Sequence, residues 1–310
     1  MMTSKGGMRL LPAFVAGAAV LTVLLLAACS SDDASSVGTT RTVVATTVQI
    51  SALTREVARD KLEVHGIIPA GADAHEFEPT ASDLKAIEDA ELIVRHGIGL
   101  DDWLDDTLKA GGDANVATVT EGIMPRQLDE EGEQIDDPHV WHDPANDKIM
   151  VDNIAAALDK FDPAGKTTYD ANATAYKAKF DETRDKVQAI INEIPPENRK
   201  LVTNHDALSY FANAFGLEVV GAVIPSVTTE AEPSAEDIAN LLGIIEREHV
   251  KAIFAESSVN PALATTLAKD AGITIVDDLY GDSLGEPGSD AATVDGMLLA
   301  NARKIANALK

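Results

Sequence analysis

Seven histidines are spread along the 310-residue chain: His65, His75, His96, His139, His142, His205 and His249. A lone histidine is more often structural than chemical, so position has to separate the candidates. His75 lies in Gly71-Ala72-Asp73-Ala74-His75-Glu76-Phe77-Glu78-Pro79-Thr80, after an apolar run that ends near Ile68. His139 lies in Asp137-Pro138-His139-Val140-Trp141-His142-Asp143-Pro144, just ahead of a helical pattern. His205 follows the strand-like Lys200–Thr203 directly, and Asp282 follows a run ending near Val276, in Leu279-Tyr280-Gly281-Asp282-Ser283-Leu284. Parallel α/β sheets bind ligands outside the carboxyl ends of their strands, and three of these four side chains occupy such loops. Separations of 64, 66 and 77 residues exclude a local finger or a helical pair. Only a cleft between two lobes brings these groups together.

The elements that must do so alternate. Val43–Val48 and Leu62–Ile68 read as strand-like runs, Thr80-x-x-Asp83 as a capping box opening a helix, and Leu92–Val94 as a strand. The second half repeats the rhythm. Lys200–Thr203, Val219–Ile224, Val250–Ala255 and Ile273–Val276 read as strands, Ser234-x-x-Asp237 caps a helix, and residues 291–309 close the chain as another. Such alternation predicts an α/β fold with parallel sheets covered by helices. Residues 164–193 have no Gly after Gly165 and no Pro before Pro195. They carry Tyr169, Ala173, Tyr176, Phe180, Val187, Ile190 and Ile191 at mostly helical spacing. A helix of about 45 Å is expected there, a stiff strut where a flexible linker would be rich in Gly, Ser or Pro. The division predicted is a signal peptide over 1–28, a tether over 29–40, an N-terminal α/β lobe over 41–160, a linking helix over 161–195 and a C-terminal α/β lobe over 196–310.

Composition removes several function classes. Cys29 is the only cysteine. It follows a short apolar run ending Leu26-Ala27-Ala28, with Lys5 and Arg9 ahead and Ser30-Ser31-Asp32-Asp33 behind. This is the layout of a secretory signal peptide, with a cysteine at the cleavage point as in the lipobox of bacterial lipoproteins. The run from Leu10 to Ala28 contains Pro12 and is near the minimum for a membrane span, which favours cleavage and lipidation over a plain anchor. Once Cys29 carries lipid, no thiol remains for disulfides, zinc or nucleophilic catalysis. The mature part would hold 23 basic and 51 acidic residues, a net charge of −28, which argues against nucleic-acid binding. The acidity serves solubility, with a weaker pull on cations.

The lipobox, His75-x-x-Glu78-Pro79-Thr80, Asp137-Pro138-His139-x-Trp141, the strand end at His205, Ala255-Glu256-Ser257-Ser258-Val259-Asn260-Pro261 and Leu279–Gly285 together resemble the metal-binding lipoproteins of zinc and manganese ABC transporters. These are the substrate-binding proteins with a rigid interdomain helix, and the resemblance covers nearly all of residues 41–310. It implies two lobes joined by one long helix and a single divalent transition metal held in the cleft between them. It implies ligands at His75, His139, His205 and Asp282, and an ABC permease in the cytoplasmic membrane as partner. A monomer anchored outside that membrane through lipidated Cys29 is expected. Three imidazoles and one carboxylate suit Zn2+, the ion favoured here as the transported ligand, with Mn2+ the alternative. Calcium or magnesium would want oxygens alone.

The other candidates rank below these four. Glu256 and His142 are candidates to support a ligand from behind. His96, His65 and His249 read as structural, and Trp103 and Trp141 as packing residues. The acidic stretch 127–137 lies where zinc-specific relatives often carry a His-rich loop, and it reads as a solvated charge run. A zinc metallohydrolase is a rival reading, but His-Glu-x-x-His is absent and four protein ligands would close the zinc shell to a catalytic water. A surface adhesin with incidental metal is a third.

Overall fold

In the computed structural model, which describes residues 41–109, 115–130 and 132–310, the first β-branched run stops early. Strand β1 is Thr42–Ala45, and Thr47 then turns the chain: its side chain accepts the Ile50 N–H at 3.3 Å and opens helix α1, Val48–Ala58. The strand expected over Val43–Val48 is therefore strand and helix start combined. A threonine oxygen in the N-cap position outweighs the β preference of the flanking valines. The signal peptide, Cys29 and the tether over 29–40 lie outside the described residues.

The N-terminal lobe continues with β2 (Glu63–Gly66), α2 (Ala81–Glu88), β3 (Leu92–Arg95), α3 (Trp103–Lys109) and β4 (Asn115–Thr118). The hairpin β5 (Gln127–Glu130) and β6 (Glu133–Asp136) follows, then α4 (Pro144–Phe161). Beyond α5 (Lys166–Ile191), the second lobe is built from β7 (Lys200–Thr203), α6 (Ser209–Phe215), β8 (Glu218–Ala222), α7 (Ala235–Arg247), β9 (Ala252–Glu256), α8 (Ala262–Ala271), β10 (Thr274–Leu279) and α9 (Val294–Leu309). Both expected capping boxes form, Thr80 with Asp83 at α2 and Ser234 with Asp237 at α7. Among the described residues no helix is long and apolar enough to cross a membrane.

Two four-stranded sheets result, β2-β1-β3-β4 and β10-β9-β7-β8, each with every pairing parallel. Counted within its own half, each sheet has the order 2-1-3-4, so the lobes share one topology. In each, strand order reverses between the first and third strands, β1 and β3 or β7 and β9. That reversal opens a crevice at the strands' carboxyl ends.

Helix α5 is 26 residues, about 39 Å long at 1.5 Å per residue, somewhat shorter than expected. It buries Tyr169, Ala173, Tyr176, Phe180, Thr183, Val187 and Ile191, and packs on α1 and α4 from one lobe and on α6 and α9 from the other. Full burial of a ring such as Phe180 stabilises by about 1.5–3 kcal/mol, so this face holds both lobes to one rod. Tyr176 Oη donates to Asp295 Oδ1 at 3.0 Å, tying the rod to α9. One continuous core runs from β1 and α1 through α4 and α5 to α9. A hinge would need a break in that core.

The acidic stretch 127–137 is exposed along most of its length, as a solvated charge run would be, and it is folded into a paired antiparallel hairpin. Glu130 reaches the other lobe, accepting the Val227 N–H at 2.8 Å and the Ser226 hydroxyl at 3.2 Å.

Candidate metal centre

Four loops deliver four side chains to one point. His75 comes from the connection between β2 and α2, and His139 from the turn between β6 and α4. His205 stands two residues past β7, at the crevice of the second sheet, and Asp282 three residues past β10. One ligand atom from each lies within 4.8 Å of all the others. The Nε2 atoms of His75 and His139 are 3.3 Å apart, and those of His139 and His205 are 3.2 Å apart. Asp282 Oδ2 lies 3.2 Å from His75 Nε2 and 3.3 Å from His205 Nε2, while Oδ1 lies 3.1 Å from His139 Nε2. Donor atoms about 2.0 Å from a tetrahedral ion sit about 3.3 Å apart. With Oδ2 as the Asp282 donor, four of the six edges, 3.2–3.3 Å, therefore have the length of a four-coordinate transition-ion site.

Carboxylates behind the rings fix which nitrogen faces inward. His139 Nδ1 lies 2.8 Å from Asp137 Oδ1, and His205 Nδ1 lies 2.7 Å from Glu256 Oε1. A carboxylate there favours the proton on Nδ1 and leaves Nε2 facing inward, through a hydrogen bond at His139 and through the proximity of opposite charge at His205. Glu256, the last residue of β9, also makes a second contact, in which its Oε2 accepts the Asp282 N–H at 3.0 Å. One side chain thus sets both the His205 ring and the Asp282 loop. Gly281 permits this, because a Cβ there would fall 1.7 Å from Glu256 Oε2.

The equivalent crevice in the first sheet is filled from within. Buried Asp101 accepts from Thr46 Oγ1 (2.7 Å), His96 N (2.7 Å) and Gly97 N (2.9 Å). His96 Nε2 in turn lies 2.9 Å from the carbonyl oxygen of Pro138, beside His139. His96 is structural as expected, and what it does is seat the turn that carries His139. Burial drives its pKa down to about 4. His142 is not brought into the group of four. It is buried in the 3-10 turn Val140–His142, its ring 5.7 Å from that of Trp141, and burial together with the charge on His139 pushes its pKa down to about 3. Trp141 is buried as predicted and also donates Nε1–H to the Gly281 carbonyl at 3.1 Å, across the cleft. Asp137 escaped the sequence reading although it stands two residues before His139, the spacing at which its carboxylate also accepts the His139 N–H at 3.0 Å.

Electrostatics follow from the three buried carboxylates. Burial by itself opposes charge on His139, but Asp282 and Asp137 outweigh it and raise the pKa to about 9. Burial is likewise outweighed at His205, where Glu256 and Asp282 hold the pKa well above the ordinary imidazole value. Asp282 is held well below the usual carboxylate range: His205, His139 and His75 overcome its burial. Without a metal, protons supply the positive charge that these carboxylates demand. A divalent ion is the chemical alternative to those protons.

Two outcomes are expected. A raised imidazole pKa stabilises the metal-free fold fully below pH 6.5, and that stability is lost as pH rises through about 9. Zinc affinity, measured against a competing chelator, should climb over the same window while the thermal midpoint of the metal-free protein falls. An affinity flat from pH 6.5 to 9 would contradict proton displacement. Glu256→Gln keeps the shape but weakens the hold on His205, so affinity should drop about 10- to 100-fold with the circular dichroism unchanged. A wild-type titration curve would show that Glu256 holds nothing that matters.

Comparison with known proteins agrees with this architecture. The family described as zinc-uptake complex component A, periplasmic, matches residues 43–308. The metal ABC transporter substrate-binding lipoprotein ScbA of Streptococcus cristatus is 34% identical over 294 residues, covering 92% of this chain and 94% of its own. The manganese ABC transporter substrate-binding lipoprotein PsaA of Streptococcus pneumoniae is 33% identical over 295 residues, covering 93% and 95%. Among solved structures, the periplasmic zinc binding protein TroA from Treponema pallidum superposes with a TM-score of 0.81 at 30% identity, over 87% of this chain and 99% of that one. A Mn-bound periplasmic metal binding protein from Candidatus Liberibacter asiaticus gives 0.78 at 26% identity, over 87% and 100%. The chain therefore belongs to the zinc-uptake component A family: it is the substrate-binding protein of a metal ABC transporter, and not an enzyme.

Proposed function

We propose that this protein captures one divalent transition ion through His75, His139, His205 and Asp282, and hands it to its membrane permease, with Zn2+ the favoured ion. The observation that carries this reading is the set of four inter-ligand edges of 3.2–3.3 Å, with Asp282 Oδ2 as the fourth donor. Nitrogen-rich coordination by neutral imidazoles suits zinc better than a hard oxygen-seeking ion. Three carboxylates, Asp137, Glu256 and Asp282, stand at or directly behind the ligands and bring three negative charges to a divalent cation. The result is one net negative charge, enough to favour capture without making release prohibitive.

Mn2+ is the second reading, and one feature of the site favours it. Asp282 turns both oxygens toward the imidazoles, Oδ2 to His75 and His205 and Oδ1 to His139. A bidentate carboxylate would raise the donor count to five, which manganese accepts readily. The relative PsaA is named for manganese and TroA for zinc, so names divide as the chemistry does.

Export and anchoring belong to the same proposal. Cys29 at the end of an apolar leader would carry the lipid and hold the protein at the outer face of the cytoplasmic membrane. The relatives ScbA and PsaA are named lipoproteins, which supports that reading.

His205→Ala is the direct test. Titration with Zn2+ and with Mn2+ against a chelator should give one ion per chain for the parent, tighter for Zn2+. For the variant, affinity for either ion should be at least about a hundredfold lower. An unchanged variant curve would remove His205 from the ligand set, and tighter Mn2+ than Zn2+ binding in the parent would reverse the ion preference.

A further inference from the structure

A cavity of about 560 Å3 opens beside the four ligands, between the β5–β6 hairpin, the loop that carries His75, and residues 227–230. His75 is the only one of the four that lines it. Exposure agrees: the His75 side chain is 9% exposed, whereas His139, His205 and Asp282 are each 0%. Two other cavities, one against β4 and α4 and one between α4 and α5, touch none of the four. His139 and His205 are each backed by a carboxylate, but no acid backs His75 among the described residues.

The walls suit passage of a bare cation. Phe77 and Trp103 pack with ring centroids 5.5 Å apart and give an apolar side. Exposed Asp136 and Glu230 also line the cavity, as does Asp102, which is paired with Arg95 at 3.2 Å. Apolar walls beneath a negative opening focus the field and concentrate cations at the mouth. Glu130 does not join them in this. Its two oxygens hold Val227 N and Ser226 Oγ of the opposite lobe, so the hairpin is strapped across the cavity.

We propose that the ion enters and leaves through this cavity, past His75, and that the Glu130 strap fixes its width. This rests on the reading of the four residues as ligands. It adds a kinetic role for residues that touch no ion: the cavity sets how fast the site exchanges, and the buried ligands set how tightly it binds.

Thr228 and Ile135 line the cavity and carry no charge, so a larger side chain at either would narrow it. The test uses zinc-loaded parent, Thr228→Trp and Ile135→Trp, with Thr265→Trp on the exposed face of α8 as control. Stopped-flow mixing with excess chromophoric chelator reads release, and mixing of the metal-free protein with Zn2+ reads uptake. Either cavity variant should slow both rates by about tenfold while the equilibrium constant stays within about twofold, because a narrowed passage acts equally in both directions. Glu130→Ala should speed both. Parent rates in both tryptophan variants, or equal slowing in Thr265→Trp, would overturn the route. The ligand reading fails separately, through an equilibrium titration of His205→Ala that matches the parent.

Discussion

Three imidazole nitrogens and a carboxylate, nearly all sealed from water, face a single point, with two more buried carboxylates behind them. Such a group is tolerable only with positive charge in its midst, because a buried carboxylate left unpaired costs several kcal/mol. Protons on His139 and His205 meet that need in one state, and on the proposed reading a divalent ion meets it in the other. The rest of the fold can be understood as what holds these groups close enough for the exchange to occur.

Two lobes of one topology solve the problem asymmetrically. In the second lobe the crevice between β7 and β9 is used directly: His205 leaves β7, and Glu256 at the end of β9 locks it. In the first lobe the matching crevice is plugged by Asp101, and His75 and His139 come from farther out, after β2 and after the β5–β6 hairpin. Asp101 nonetheless reaches the site through His96, whose ring seats the carbonyl of Pro138. Cross-lobe contacts join the same segments. Gly71 N donates to Ser283 Oγ at 2.5 Å, Trp141 to Gly281 O, and Tyr210 Oη to Asp137 O at 3.0 Å. With α5 fixed in one continuous core, small loop rearrangements are the natural means of opening, rather than wide rotation of the lobes.

Much of this was legible in the sequence because its signals are local. Strand runs such as Lys200–Thr203, the Thr80 and Ser234 capping boxes and the Gly- and Pro-free stretch of α5 all depend on neighbours a few residues away. The loops bearing His75, His205 and Asp282 could be found from strand ends alone. What could not be read depends on partners far along the chain. Glu256 stood as a candidate to back a histidine, but that the histidine is His205, 51 residues earlier, and that the fit needs no Cβ at Gly281, show only in the structure. The charge run at 127–137 is solvated along most of its length, but the hold of Glu130 on Ser226 and Val227, about a hundred residues on, could not be read. Helix α1 was hidden by valines and threonines that prefer strands until a cap and a buried environment override them.

X-ray absorption at the zinc edge of the loaded protein tests the central claim most directly. The account requires a shell of three nitrogens and carboxylate oxygen at about 2.0–2.2 Å, with the outer-ring scattering of imidazole and no sulfur. A spectrum fitted by oxygens alone, without imidazole scattering, would contradict it.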